Sequence, residues 1–554
     1  MQKLFVNAKI WTMDAAEPCA EAMLCEGERI VAVGAVANVC ALAARDASRT
    51  DLAGSLVVPG FNDSHMHVLG YGLSLQEADL SPQAGVASIP LLLDALMRWA
   101  NRHADESWVV GGGYYQEALV ERRHPTRAEL DGAFPARPVV LFHASGHAAV
   151  ANTAALQLAG IGRDTPNPPG GEIGRDEAGE LTGVLLEAAV PLLEAAMPPP
   201  NRSRMEDAIR AAAAALARRG LTAASEMSLG WFHLEDEIAA YRKVMEEGLP
   251  LRITLSPLAT RLGSPEAIPP RSEFAAAVGL TDDRACLRLG PLKLFADGAI
   301  TTRTAAVREP FTNGTLGILT HAPEELEAYI LNAHRNGWQL AIHAIGDRAI
   351  DLVLTYLERA TSITQPSTLE EQPPLRRHRI EHCMMPDEDQ IKRIARLGVL
   401  PVMQMEFLPR LGEAYIAALG MDRAQRLNPV HSLLRAGISV AFSSDCPVIP
   451  GHPLDGLRAA VERSTASGIV LGASERITPL DALTCYTKGS AIATFDDAHI
   501  GLLTPGRRAD ATLLQGADTL ESIGNARIAG TIFGGRLIAG TSGVWGTPEE
   551  GCAQ

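Results

Sequence analysis

Two histidines separated by one residue, His65-Met66-His67, follow the apolar run Leu56-Val57-Val58-Pro59-Gly60-Phe61. In extended chain, residues i and i+2 point to the same side, so both imidazoles can address one point, as a metal site requires. Four more ligand-type side chains appear far along the chain, each closing or interrupting an apolar segment. Lys293 lies in Leu292-Lys293-Leu294-Phe295-Ala296-Asp297, His343 ends Leu340-Ala341-Ile342-His343, His382 ends Arg379-Ile380-Glu381-His382, and Asp445 follows Val440-Ala441-Phe442-Ser443-Ser444. Singly, each reads as a satisfied core or loop residue, and Lys293 as a lysine that reaches solvent or pairs with Asp297. Together, four His, one Lys and one Asp at strand ends point to a cage for zinc or a related divalent metal. Burial of Lys293 would lower its pKa and leave a nucleophilic amine. Such an amine can take up CO2 to become a carbamate, an anionic ligand able to bridge two metals.

For these residues to meet, the segments that carry them must lie side by side. From residue 220 onwards strands and helices alternate. Strands are expected at Leu221–Met227, Leu251–Ser256, Leu287–Ala296, Gln339–His343, Arg379–His382, Val399–Met405 and Ile438–Phe442. Helices over Leu234–Glu247, Pro323–Asn336, Ala349–Arg359, Asp387–Leu397 and Pro429–Arg435 separate them. With the strand before His65 this makes eight, which predicts an α/β fold: a (β/α)8 TIM-like barrel over residues 58–497, with active groups at the C-terminal strand ends. Residues 69–202 break the alternation and read as a large insertion after the first barrel strand, of the kind that shapes a substrate pocket. Residues 1–57 read as short strands, Lys3–Ile10 and Ala22–Val33, punctuated by Gly27, Gly34 and Gly54. Residues 498–554 have the same texture, so both chain ends are expected to form one small β-sandwich domain.

Composition narrows the partners. The chain has 554 residues, 47% of them apolar, and a formal net charge of -16, which suits a large folded core and a soluble surface. No Lys/Arg-rich run marks a nucleic-acid surface, and no stretch of about 18 apolar residues marks a membrane span. The eight cysteines are scattered, without a C-x-x-C, and read as reduced thiols of a cytoplasmic protein rather than a disulfide frame. The expected partner is a small-molecule substrate; a homodimer is left open.

Further stretches accompany the ligand set: Arg123-His124-Pro125-Thr126-Arg127 with Glu129-Leu130-Asp131, Ser145-Gly146-His147, Asn152-Thr153-Ala154-Ala155-Leu156, Thr182-Gly183-Val184-Leu185 with Glu187, His343-Ala344-Ile345-Gly346-Asp347, Ser444-Asp445 with Pro447, and Pro505-Gly506 with Ala509-Asp510. The ordered set resembles the amidohydrolase superfamily of metal-dependent hydrolases. Within it, the chain is similar to the family 3 branch that includes N-substituted formamide deformylase-like proteins. The resemblance implies that His65, His67 and Asp445 hold one divalent metal, with zinc expected, and that His343 and His382 hold a second. Carboxylated Lys293 would bridge the two, although some superfamily members work with one ion. It implies a hydroxide between the metals that attacks a carbonyl, with Asp445 as general base and then general acid. It places His147 at the substrate pocket; a histidine bonded to loop backbone is the alternative. Tyr114 and Tyr115 are candidates for an aromatic pocket wall or for packing. Glu187 and Glu381 are candidates to orient the ligands or to form ordinary salt bridges. Cys383 and Cys446, each following a ligand, read as buried thiols. The expected reaction is hydrolysis of a non-peptide C–N bond in a linear amide or formamide. A cyclic amide or ester would use the same ligands, and a non-catalytic binding or regulatory protein would be expected to have lost some of them.

Overall fold

The computed structural model describes residues 1–144, 148–168, 171–363, 376–517 and 519–540. It divides into two compact units, Met1–Val68 with Ala212–Gln554, and Leu69–Ala211.

The first unit contains two parallel sheets. One orders Leu287–Leu289, Arg252–Pro257, Leu221–Leu229 and Phe61–Met66; the other orders Leu292–Phe295, Leu340–Ala344, Arg379–His382, Leu400–Met403 and Ala441–Phe442. Most of these strands are buried along their whole length, as parallel strands covered on both faces must be. The sequence suggests one strand over Leu287–Ala296, but it is interrupted at Gly290-Pro291. Pro291 has no N–H to give a ladder, and a Cβ on Gly290 would stand 2.5 Å from Thr254 Cγ2. The two sheets still meet there, through a bridge between Leu258 and Lys293. On the opposite flank, Asp445 N–H donates to His65 O (2.8 Å), His67 N–H to Cys446 O (2.8 Å) and Ser64 Oγ to Phe442 O (3.1 Å).

The helices between the strands follow local rules. Pro323–Arg335 opens with Pro and two glutamates and closes with Arg335, matching its dipole. Glu388–Leu397 starts on a capping box of Asp387 and Gln390 and stops at Gly398, whose φ is 63°. Helices Phe407–Leu419 and Pro453–Glu462 lie outside the alternation read from the sequence.

Both chain ends enter one mixed sheet, ordered Arg536–Gly540, Arg527–Phe533, Ala511–Gln515, Ser48–Pro59, Gln2–Trp11, Ala22–Glu26 and Arg29–Gly34, with Cys19–Ala20 paired to Gln2–Trp11. The ends join where Ala511–Gln515 runs antiparallel to Ser48–Pro59, Ala511 opposite Pro59. The single strand expected over Ala22–Val33 is a hairpin, turned at Gly27 with φ 56°. Strand Ser48–Pro59 is separated by Gly60 alone from the strand that carries His65.

The second unit holds a six-stranded mixed sheet, ordered Gly171–Arg175, Leu181–Glu187, Ala148–Ala151, Val139–His143, Val109–Tyr114 and Ala78–Asp79. Helix Ile89–Arg102 places Leu92, Leu96 and Trp99 in a core with Leu80, Val109 and Leu141.

Candidate metal centre

Five of the six ligand-type residues of the first unit come from C-terminal strand ends or the turn that follows, and Lys293 is the second residue of strand Leu292–Phe295. His65, Lys293, His382 and Asp445 are buried. The nitrogens of His65 and His67 and a carboxylate oxygen of Asp445 lie within 4.8 Å of one another. Ring centroids then run on from His67 to His65 (5.8 Å), to His382 (5.1 Å) and to His343 (4.5 Å). His382 and Asp445 adopt left-handed backbone, φ 70° and 61°. For non-glycine residues this costs about 1–3 kcal/mol and is kept only where the surroundings dictate it.

Each imidazole has one nitrogen committed, and the acceptor it faces assigns the tautomer. His65 Nδ1 lies 2.5 Å from Glu381 Oε2, so it donates. Glu381 is itself gripped by Arg379, Nε to Oε1 at 2.7 Å and Nη2 to Oε2 at 2.8 Å. Burial alone would raise the Glu381 carboxyl; Arg379 and His65 outweigh it and hold it well below the usual range. His67 Nδ1 lies 2.9 Å from Ser228 Oγ, whose own proton goes to Glu226 Oε1 at 2.9 Å, so His67 donates too. Tyr241 OH completes that chain on Glu226 Oε2 at 2.6 Å. His382 Nδ1 donates to Gln404 Oε1 at 2.7 Å. His343 is reversed: its Nε2 donates to Gly298 O at 3.1 Å, leaving the lone pair on Nδ1.

The consequence is a convergence of acceptors. The Nε2 lone pairs of His67 and His65 face Asp445 Oδ1 at 3.1 Å and 3.3 Å. Three acceptors cannot share one point unless a cation sits among them. A proton meets part of the need: burial disfavours charge on His67, but Asp445 raises its pKa above the ordinary value. Burial would raise Asp445, and His65 and His67 outweigh it and hold the carboxyl well below its usual range. A divalent cation would satisfy all three groups at once, so the donor set fits a metal of the zinc class. His343 and His382 are kept neutral, as ligands must be. Burial, then the charges of His382 and Lys293, push His343 well down, and burial brings His382 to about 3 against the pull of Asp445.

Lys293 does not pair with Asp297. The Asp297 carboxylate takes three backbone N–H groups instead, from Ala306, Ile345 and Gly346 at 2.9, 3.0 and 2.8 Å. The Lys293 ammonium lies over the Phe295 ring at 4.7 Å from its centroid. Burial lowers its pKa to about 8, with Glu381 and Asp445 opposing the fall.

The sequence assigned no role to Ser228, Glu226, Gln404 or Arg379. The available signal was weak: a lone Ser or Gln at a strand end is common. Cys383 and Cys446 are buried, and burial raises the Cys383 thiol to about 12, which favours the neutral, unreactive form. In the second unit, Tyr114 is fully buried, with its hydroxyl 2.9 Å from His124 Nδ1 and its ring edge-on to His143. Tyr115 is 43% exposed and also edge-on to His143. Glu187 is exposed at the end of strand Leu181–Glu187, with φ 51°. His147 lies outside the described residues.

Comparison with known proteins gives the same setting. Residues 50–539 match the profile of the amidohydrolase family. The chain is 32% identical to YtcJ of Bacillus subtilis over 474 residues, 84% of this chain and 85% of that protein. It is 31% identical to the N-substituted formamide deformylase of Arthrobacter pascens over 517 residues, 92% of this chain and 93% of that protein. Among solved structures, an uncharacterized metal-dependent hydrolase from Pyrococcus horikoshii OT3 superimposes with a TM-score of 0.75 at 26% identity, covering 94% of this chain and 98% of that one. With a profile that spans most of its length and relatives matched nearly end to end, the chain belongs to the amidohydrolase family.

Proposed function

We propose that this protein is a metal-dependent hydrolase of a non-peptide C–N bond in a linear amide or formamide. The observation that carries the reading is the set of four imidazoles, each with one nitrogen committed as a donor, whose free lone pairs accompany the Asp445 carboxylate and the buried Lys293 amine. On this reading the eight parallel strand positions close as a (β/α)8 barrel, with the ligands at its C-terminal mouth. His65, His67 and Asp445 would hold one divalent ion, zinc by ligand type, and His343 and His382 a second. Lys293, whose pKa burial lowers to about 8, would react as the free amine, adding CO2 with loss of a proton to become a carbamate ligand. Ions bound there would polarise a carbonyl and acidify a water molecule.

The chain's own part is positional and protonic. Glu381, Ser228, Gln404 and the Gly298 carbonyl fix the four rings before substrate arrives, so no reorganisation is needed during reaction. Asp445 would accept the proton of the attacking water and deliver it to the leaving nitrogen. The C–N bond breaks as the C–O bond forms, and a carboxylic acid and an amine leave. The formamide deformylase named among the relatives supports a linear amide, because it matches over nearly the whole length of both chains.

The test is zinc content per chain, followed by assay of linear amides, formamides, lactams and esters. The expected result is amine release from a linear amide or formamide that stops on chelation and returns with zinc, and a native mass that includes one CO2. Turnover of lactams or esters alone would replace the proposed bond, and a chain that takes up no metal would overturn the reading.

A further inference from the structure

His65, His67 and Asp445 come from the ends of two strands that share no ladder among the described residues. Phe61–Met66 is the edge strand of one parallel sheet and Ala441–Phe442 the edge strand of the other. The seam between the sheets therefore runs through this three-residue group, whose spacing depends on what joins the two edges. Beyond Phe442 the chain changes partner. Ser443 N–H still donates to Met403 O (3.1 Å), on the neighbouring strand of its own sheet. The next N–H, that of Ser444, donates across the seam to Asp63 Oδ1 (3.0 Å). Asp445 N–H then meets His65 O (2.8 Å), Cys446 N–H meets Ser444 Oγ (3.0 Å), and His67 N–H returns to Cys446 O (2.8 Å).

Asp63 thus supplies the first acceptor of the crossing, where a ladder would have offered a backbone carbonyl. The same Oδ1 accepts the N–H of His65 (3.3 Å). One carboxylate oxygen therefore grips the backbone of one candidate ligand and of the residue before another. Asp63 and Ser444 are both 1% exposed, so water cannot replace either partner, and a buried N–H left without an acceptor is costly. Asp445 keeps its left-handed backbone, φ 61°, only because its surroundings dictate it. The bonds on the N–H groups of residues 444, 445 and 446 do so, and the first of them belongs to Asp63.

We propose that Asp63 is a positioning residue of the metal centre: its carboxylate fixes Asp445 against His65 and His67 before an ion arrives, and so sets the affinity of the site they form. The proposal rests on the metal-dependent reading above for the ion itself. Ser64, next in sequence, provides the contrast. Its Oγ spans the same seam to Phe442 O (3.1 Å), an acceptor that Ser490 Oγ also reaches (2.9 Å). The Ser64 hydroxyl joins the two sheets without holding the backbone of a candidate ligand.

The experiment compares the full-length protein with Asp63→Ala, Asp63→Asn, Asp63→Glu and Ser64→Ala. Zinc affinity is measured by competition with a chelating dye, ligand geometry by the visible absorption of the cobalt(II)-loaded protein, and folding by the melting temperature without metal. Asp63→Ala should weaken one zinc per chain by about 10–100-fold, the usual effect of losing a group that orients a ligand, and change the cobalt spectrum. Asp63→Asn keeps an acceptor oxygen on the same stem, so its zinc affinity and cobalt spectrum should stay close to those of the wild type. Asp63→Glu carries the oxygens one methylene further and should weaken zinc as the alanine variant does; it decides the question if Asp63→Ala does not fold. Ser64→Ala should lower the melting temperature and leave zinc affinity and the cobalt spectrum unchanged. Wild-type zinc affinity in folded Asp63→Ala or Asp63→Glu would overturn the proposal. So would a loss in Asp63→Asn or Ser64→Ala equal to that in Asp63→Ala, or a failure of both Asp63→Ala and Asp63→Glu to fold, which would show a purely structural role. A wild type that takes up neither zinc nor cobalt would overturn the metal-dependent reading and this proposal with it, whereas variants that match a zinc-binding wild type would overturn the role of Asp63 alone.

Discussion

Asp445 is the residue on which the proposed chemistry turns. Its Oδ1 faces two imidazole nitrogens, and its backbone is held by its own N–H on His65 O. Asp445→Asn keeps the shape and one oxygen ligand but removes the proton acceptor. Zinc content should fall only partly while kcat drops about 10²–10⁴-fold, the range for a lost general acid/base. His343→Asn should instead lower the metal count, with activity following it. Near-normal kcat in the Asp445 variant would remove Asp445 from the proton path. At this scale the candidate ligands stood out because each is a polar residue that closes or interrupts an apolar strand, where chance seldom puts one. Their orienting partners did not. Ser228 meets His67 across 161 residues of sequence, and nothing in a lone serine announces that.

At the scale of elements, the strand that carries Glu381 and His382 shows how a strand start can be titratable. His378 precedes it and lies in the core with His334 of helix Pro323–Arg335. His378 Nδ1 accepts the Leu340 N–H at 3.0 Å, so its Nε2 carries the proton and donates to His334 Nδ1 at 2.8 Å. Both rings are neutral in this arrangement. Burial lowers His334 to about 4 and His378 to about 3, from an ordinary value of 6.5. Below pH 6.5 the unfolded chain takes up protons that the folded chain refuses, so stability rises with pH. The contribution is complete above about pH 6.5 and is lost as pH falls towards the folded values. His378→Gln keeps one acceptor and one donor but does not titrate. Its melting temperature should fall less than the wild type's between pH 7 and 4.5, and parallel curves would refute the assignment. The alternation of strands and helices was readable from periodicity because each strand is an apolar run stopped by a polar residue or a glycine. The break at Gly290-Pro291 and the hairpin at Gly27 were misread as continuous strands: the flanking residues are equally apolar, and only the ladder reveals the interruption.

At the scale of the whole first unit, the question is how a sheet built from both chain ends is fixed to the parallel strands that carry the ligands. Texture alone suggested that the two ends fold together, but the joint itself could not be read, because it depends on one residue meeting partners far away in sequence. That residue is Asp510. Its carboxylate is buried and takes Arg252 Nε at 2.7 Å and Nη2 at 3.2 Å, from the first residue of strand Arg252–Pro257. The same carboxylate accepts Gly534 N–H at 2.8 Å, in the turn between the last two strands. Its backbone carbonyl accepts Gly60 N–H at 3.0 Å, at the link between strand Ser48–Pro59 and the His65 strand. Asp510→Ala would leave the buried Arg252 guanidinium with only the half-exposed Glu28 carboxylate, 3.8 Å away, as counter-charge, a loss approaching the figure of about 3–5 kcal/mol for a buried pair cut on one side. The midpoint of denaturant unfolding should fall accordingly, while zinc per folded chain stays at the wild-type value, because no ligand or ligand partner is touched. Replacing both Arg252 and Asp510 with apolar residues of similar volume should recover much of the loss, since the penalty belongs to the stranded charge. A single variant as stable as the wild type would show that the joint is held by the strand ladder between Ala511–Gln515 and Ser48–Pro59 alone. A variant that keeps its stability but loses zinc would place Asp510 in the metal centre's support instead.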